Sequence, residues 1–173
     1  MVILSCITAL SLHSQQISRF LDFRLGQSIA EVRNIIASKF SSTEWNGNVC
    51  KIYNVTLANE SFNQLTIEFS GGQLARATFL NSPPAIITSS SYEYNQKMQS
   101  QASFQQQRIG RLYSQYRAKY GKETMATDSS VIWTDLYGNS INLYITINND
   151  DSDGLFVGNI NVVITYSLQQ SDF

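Results

Sequence analysis

Gln64-Leu65-Thr66-Ile67-Glu68-Phe69-Ser70-Gly71-Gly72-Gln73-Leu74-Ala75-Arg76-Ala77-Thr78-Phe79-Leu80 is the stretch that decides the fold. Leu65, Ile67 and Phe69 alternate with Thr66 and Glu68, the period of two that marks a strand with one dry and one wet face. Gly71-Gly72 supplies two residues that take positive φ freely, as a two-residue hairpin demands. The segments therefore read as antiparallel strands over Gln64–Phe69 and Gln73–Leu80, and Asn48–Leu57 reads as the strand before them. Asn81-Ser82-Pro83-Pro84 stops the sheet, because neither proline has an N–H to give to a ladder.

Outward from this meander the helical signals are equally local. Ser28-Ile29-Ala30-Glu31 spells a capping box, and Ile29, Val32, Ile35, Ile36 and Phe40 form one apolar stripe, so a helix is expected over residues 29–40. Ser41-Ser42-Thr43-Glu44 reads as a polar connection to the first strand. After Pro84 a connection to about Ser91 leads into a second helix over residues 92–120. Its stripe is Met98, Ala102, Ile109, Leu112, Tyr113, Tyr116 and Tyr120, and Gly121 is its stop. Val131–Leu136, Ile141–Ile147 and Leu155–Leu168 read as closing strands, the last broken at Gly158. Turns lie at Tyr137–Ser140 and Asn148–Gly154. The expected fold class is α+β: two helix-plus-three-strand units, about 17–82 and 92–173, within one domain 17–173. One antiparallel sheet, or two abutting sheets, would carry both helices on one side.

The chain has 173 residues, enough for one well-cored domain, with 43% apolar and only 14% charged residues. A surface dominated by uncharged polar residues is commoner in exported proteins than in cytosolic ones. Met1-Val-Ile-Leu-Ser-Cys-Ile-Thr-Ala-Leu-Ser-Leu12, broken by His13-Ser14-Gln15-Gln16, reads as a secretory leader over residues 1–16 with cleavage after Ser14. The first basic residue is Arg19, so a charged n-region would precede Met1. Ile3-Leu4-Ser5-Cys6 has a lipobox-like spelling that would make Cys6 a lipid anchor. Export with cleavage would leave Cys50 as the lone cysteine, read as a small buried hydrophobe. No apolar run reaches the roughly 20 residues of a membrane-spanning helix.

Phe23-Arg24-Leu25-Gly26-Gln27-Ser28-Ile29-Ala30-Glu31-Val32 resembles the G-x-[ST]-x-x-[ED]-V opening of bacterial envelope modules similar to BamE and to β-lactamase-inhibitor-protein-like domains. The whole-chain pattern, with Trp133-Thr134-Asp135 and Ile164-Thr165-Tyr166, also resembles small secreted proteins of diderm bacteria. What the resemblance implies is a non-enzymatic, protein-binding module of the envelope.

The chemistry available is narrow. The only histidine is His13, inside the expected leader, so a mature chain would have no Ser-His or Cys-His nucleophile and no histidine for zinc. Phosphate-cradling glycine motifs are missing as well. Glu60 with Glu68, or Asp128 with Asp135, could form a carboxylate pair of the kind glycoside hydrolysis needs. Asn149-x-Asp151-x-Asp153-Gly154 has the alternation of half a calcium loop but reads first as a hairpin tip. No cofactor or metal is expected.

Charge is divided along the chain. All 12 Lys and Arg stand at or before Lys122, giving residues 1–122 a net +6, and residues 123–173 carry seven acids and no base, for −7. Facing halves would neutralise each other; separated, they would steer partners. Lys97, Arg108, Arg111, Arg117, Lys119 and Lys122, with Tyr113, Tyr116 and Tyr120 between them, have the composition of an anion contact, but the tyrosines fall on the core stripe, and no nucleic-acid partner is expected. Trp45, Tyr53, Arg108, Arg111 and Arg117 are the candidate contacts to another envelope protein. The rival reading is a carbohydrate-acting hydrolase or carbohydrate-binding domain that uses carboxylates and Trp. A cleft with two carboxylates about 5–10 Å apart would favour the rival, and an open edge strand would favour the module.

Overall fold

The computed structural model describes residues 16–169; residues 1–15 of the expected leader, Cys6 among them, lie outside these. The chain opens with β1 (Arg19–Phe20) and β2 (Phe23–Arg24), then α1 (Ile29–Lys39). The capping box forms as spelled: the Ser28 N–H donates to Glu31 Oε2 at 3.0 Å and the Glu31 N–H donates to Ser28 Oγ at 3.4 Å. Each closes a donor that a helix start leaves bare. The four strands β3 (Thr43–Asn46), β4 (Val49–Leu57), β5 (Glu60–Ser70) and β6 (Gln73–Asn81) follow. Gly71 and Gly72 turn the β5–β6 hairpin at φ 57° and 77°, the mirror-image turn that matches strand twist.

After β7 (Ile86–Thr88) comes α2 (Ser91–Tyr120), ended by Gly121 at φ 81°, and then β8 (Met125–Ala126), β9 (Ser130–Thr134), β10 (Ser140–Ser152) and β11 (Leu155–Ser167). Strands β3 to β11 make one nine-stranded antiparallel sheet in the order β3-β4-β5-β6-β11-β10-β9-β8, with β7 also on β11. This overturns the expected α+β pair of helix-plus-three-strand units. Strand accounts for 48% of the structure against 27% helix, and the supposed units are fused by six residue pairs from Arg76↔Ser167 to Asn81↔Val162. β11 runs unbroken through Gly158, and the expected seven-residue turn shrinks to Asp153-Gly154, at φ 55° and 73°. The extra strands β3, β7 and β8 are short and lie at sheet edges or sheet ends.

The core is written across the sheet as rows. Ile52, Leu65, Phe79, Ile164 and Leu143 stand directly opposite one another on five adjacent strands, all essentially inaccessible. The next row is Cys50, Ile67, Ala77, Tyr166, Ile141 and Trp133. Val32 and Ile36 of α1 and Leu112 and Tyr116 of α2 join this same cluster, so both helices serve one face. Phe20 plugs the space beside them, its ring 4.8 Å from Tyr166 and 5.8 Å from Phe79. The opposite face carries Lys51, Thr66, Thr78, Thr165 and Asn142 in one row, with Thr78 and Thr165 hydroxyls 3.4 Å apart.

Two outcomes follow from this packing. Ser28→Ala should lower stability by about 1 kcal/mol in urea unfolding, the usual cost of an N-cap hydroxyl. Cys50 is wholly buried, and desolvation pushes its thiol up to about 11. In a Cys6→Ser variant, Ellman's reagent at pH 8 should therefore label the native chain only as fast as it unfolds, since the thiolate is the reactive form.

Candidate functional site: an open strand edge beside an apolar groove

Strand lengths create the site. β11 is flanked by β6 at one end and by β7, through Phe156–Gly158, at the other, and β10 follows it through thirteen residue pairs. On its other side β10 meets β9 only from Ser140 to Tyr144. A tight turn ends β9 there: the Thr127 N–H donates to the Ser130 carbonyl at 2.8 Å, and the chain swings back into β8. The Ile145 N–H reaches the Ser129 carbonyl at 3.2 Å. Strand alternation then turns the N–H and C=O of Ile147, Asn149 and Asp151 to that same side, where no strand pairs with them among the described residues.

An apolar groove of about 290 Å³ lies along this edge, between β10 and α2. Leu143, Ile145 and Ile147 line it from β10, Ala102 and Ile109 from α2, and Ile160 from β11. Ile147 is 59% exposed, a large apolar side chain left in water beside unpaired backbone. Asp128 stands at the end formed by the Thr127–Ser130 turn. Toward the other end the Tyr94 hydroxyl donates to Asn149 Oδ1 at 2.8 Å and its ring packs 5.7 Å from Phe156. Gly158 makes that approach possible, for a Cβ there would collide with the Tyr94 hydroxyl and the Asn148 carbonyl. The glycine that reads as a strand breaker is a close-approach point.

The electrostatics are one-sided. Every ion pair within 4.0 Å among the described residues joins partners from residues 1–122: Lys39–Asp22, Arg76–Glu68, Lys97–Glu93, and Arg108 and Arg111 with Glu60. Among the described residues no Lys or Arg lies within 4.0 Å of an acid of the second half. Asp135 is buried but held by neutral donors, the N–H groups of Ile17, Tyr137 and Asn139 and the Asn139 amide, at 2.8–3.1 Å. Asp150, Asp151 and Asp153 project at the β10–β11 tip.

The residues singled out from composition are spread over the fold. Trp45, on β3, is half-buried between the Arg33 guanidinium, 4.7 Å above its ring, and Phe69. Tyr53 points to the other face of the sheet and donates to Glu44 at 2.8 Å. Arg108 is only 8% exposed; it lies 3.3 Å from Glu60 and donates to the Ser61 carbonyl at 2.8 Å. Arg111 binds the same carboxylate, and Arg117 donates to the Tyr113 hydroxyl at 2.9 Å. Composition marks α2 as a basic surface, whereas Arg108 and Arg111 fasten the helix to the β4–β5 turn. The open edge was missed because a missing neighbour leaves no local mark; the expected strands Ile141–Ile147 and Val131–Leu136 are nearly equal in length, whereas the observed β10 has 13 residues and β9 has 5.

The carboxylate pairs suggested by spacing do not form clefts. Asp128 and Asp135 stand beyond the two ends of β9, separated by roughly 17 Å of strand. Glu60 and Glu68 occupy β5, eight positions apart, one buried against α2 and the other half-buried and paired with Arg76. Glu60→Ala should lower stability by about 3 kcal/mol in chemical unfolding, because it strands the buried Arg108 charge.

Comparison with family models, with curated proteins and with solved structures finds no match.

Proposed function

We propose that this chain is an exported, non-enzymatic module of the bacterial envelope that binds another protein by taking one of its segments as an added strand along β10. The observation that carries the reading is the bare half of β10, three outward-facing backbone units beside an apolar groove. Strand addition satisfies such units with the partner's backbone, and alternate side chains of the partner fill the groove. A bare edge with an exposed isoleucine invites pairing and is otherwise a hazard that folds suppress. Export draws its support from the apolar Met1–Leu12 segment and the low charge content of the chain. The Gly26–Val32 resemblance to envelope modules agrees with it.

Panning a random peptide display library on the folded chain, with Ile147→Pro as the counter-target, tests the strand-addition reading. Proline removes the outward N–H at 147 and leaves the β10–β11 ladder whole. Selected peptides should carry apolar residues at alternate positions and protect the Ile147 and Asn149 amides from hydrogen exchange. They should bind the variant about tenfold more weakly, the scale of one hydrogen bond and one apolar contact. Peptides that bind both proteins alike, or a selection without alternating peptides, would overturn the reading.

A further inference from the structure

An open edge accepts any extended chain, so its surroundings decide which chain it prefers. We infer that the partner segment is apolar at two alternate central positions and cationic at both ends, an inference that rests on the strand-addition reading. Ile145 and Ile147 put two apolar side chains, one strand repeat apart, into the groove. A paired segment therefore meets Ile109, Val131 and Ile160 with two side chains of its own at the same spacing. Ile145 to Asp151 covers roughly 20 Å of strand, the length of about seven residues.

Both ends of that span are acidic. Asp128 lines the groove at the Thr127–Ser130 end, and Asp150, Asp151 and Asp153 cluster at the tip. None of these four carboxylates has a Lys or Arg within 4.0 Å among the described residues, and residues 123–173 contain no base at all. Three of the five cations of α2 are held by acids of the first half, Lys97 at 2.6 Å from Glu93 and Arg108 and Arg111 on Glu60, while Arg117 donates to the Tyr113 hydroxyl and Lys119 lies over the Tyr120 ring. A segment with Lys or Arg at each end meets unanswered charge twice. Complementary charge of this kind speeds encounter and fixes register more than it adds affinity.

The same charges argue against a second copy as the occupant. Antiparallel pairing of two β10 strands about Ile147 would set Ile145 against Asn149 of the other copy. It would bring the Asp150–Asp151 tip of each chain against the Asp128 end of the other, and its continuation would run into β9. Like charges oppose that arrangement.

Two blocked heptapeptides, Lys-Thr-Val-Thr-Val-Thr-Lys and Glu-Thr-Val-Thr-Val-Thr-Glu, titrated into the 15N-labelled full chain at low salt, test the inference by amide shifts. The basic peptide should shift the amides of Ile145–Asp151 and bind about tenfold more tightly than the acidic one, an advantage that shrinks at about 0.5 M salt. In an Asp128→Asn/Asp151→Asn variant the two peptides should bind nearly alike at β10. Equal binding of both peptides at β10 of the unaltered chain would overturn the cationic preference and leave strand addition standing. If neither peptide shifts β10 amides, or if sedimentation shows that β10 is instead covered by a second copy, both the preference and the strand-addition reading fall.

Discussion

The pairing of β6 with β11 is the constraint on which the rest of the structure depends. It joins strands more than eighty residues apart, closing Phe79 onto Ile164 and Ala77 onto Tyr166 so that two meanders share one core. Loop closure on this scale is entropically costly, and the return is a continuous apolar face from Cys50 to Trp133 on which both helices pack. Without this seam each meander would bare an apolar edge strand, and α2, whose principal strand contact is β11, would have no platform.

The same seam produces the open edge. β11 must be long enough to pair with β6 at one end and β7 at the other, and β10 matches it residue for residue because a two-residue turn at Asp153-Gly154 fixes the register. β9 is not under that requirement. It is cut short at Ser130 by a turn closed by local hydrogen bonds between Thr127, Ser129 and Ser130. The bare half of β10 is thus the remainder left when a globally determined strand length meets a locally determined one.

This explains what was legible in the sequence and what was not. Capping at Ser28 and Glu31, the Gly71-Gly72 hairpin, the Gly121 stop and the alternation in β4–β6 are decided within a few residues, and they were readable. β3 escaped because an edge strand wetted on both sides, with only Trp45 half-buried, has no alternation to show. β7 escaped because Pro83-Pro84 masks the three residues that pair after it. Asn148–Ser152 reads as turn by composition, yet cross-strand pairing with Leu155–Asn159 holds it extended. Gly158 misled for the opposite reason, since the demand on it comes from Tyr94, sixty-four positions away. At the site, the charge division along the chain was visible, but its significance required knowing that the ion pairs among the described residues close within the first 122 residues.

The polar face of the sheet and its open β10 edge are not equivalent as binding surfaces. Across the middle strands the polar face bears a row of threonines, two of which meet each other at 3.4 Å, so covering it would trade water for little new apolar contact. The β10 edge differs in both respects: its backbone groups gain partners only from another strand, and its groove gains by losing water. A bare apolar edge would ordinarily aggregate, and the three aspartates at its tip are the kind of charge that natural sheets use to discourage self-pairing. In the proposed strand addition, charge that opposes self-pairing is also charge that favours a cationic guest, so protection and recognition at this edge would be one electrostatic arrangement.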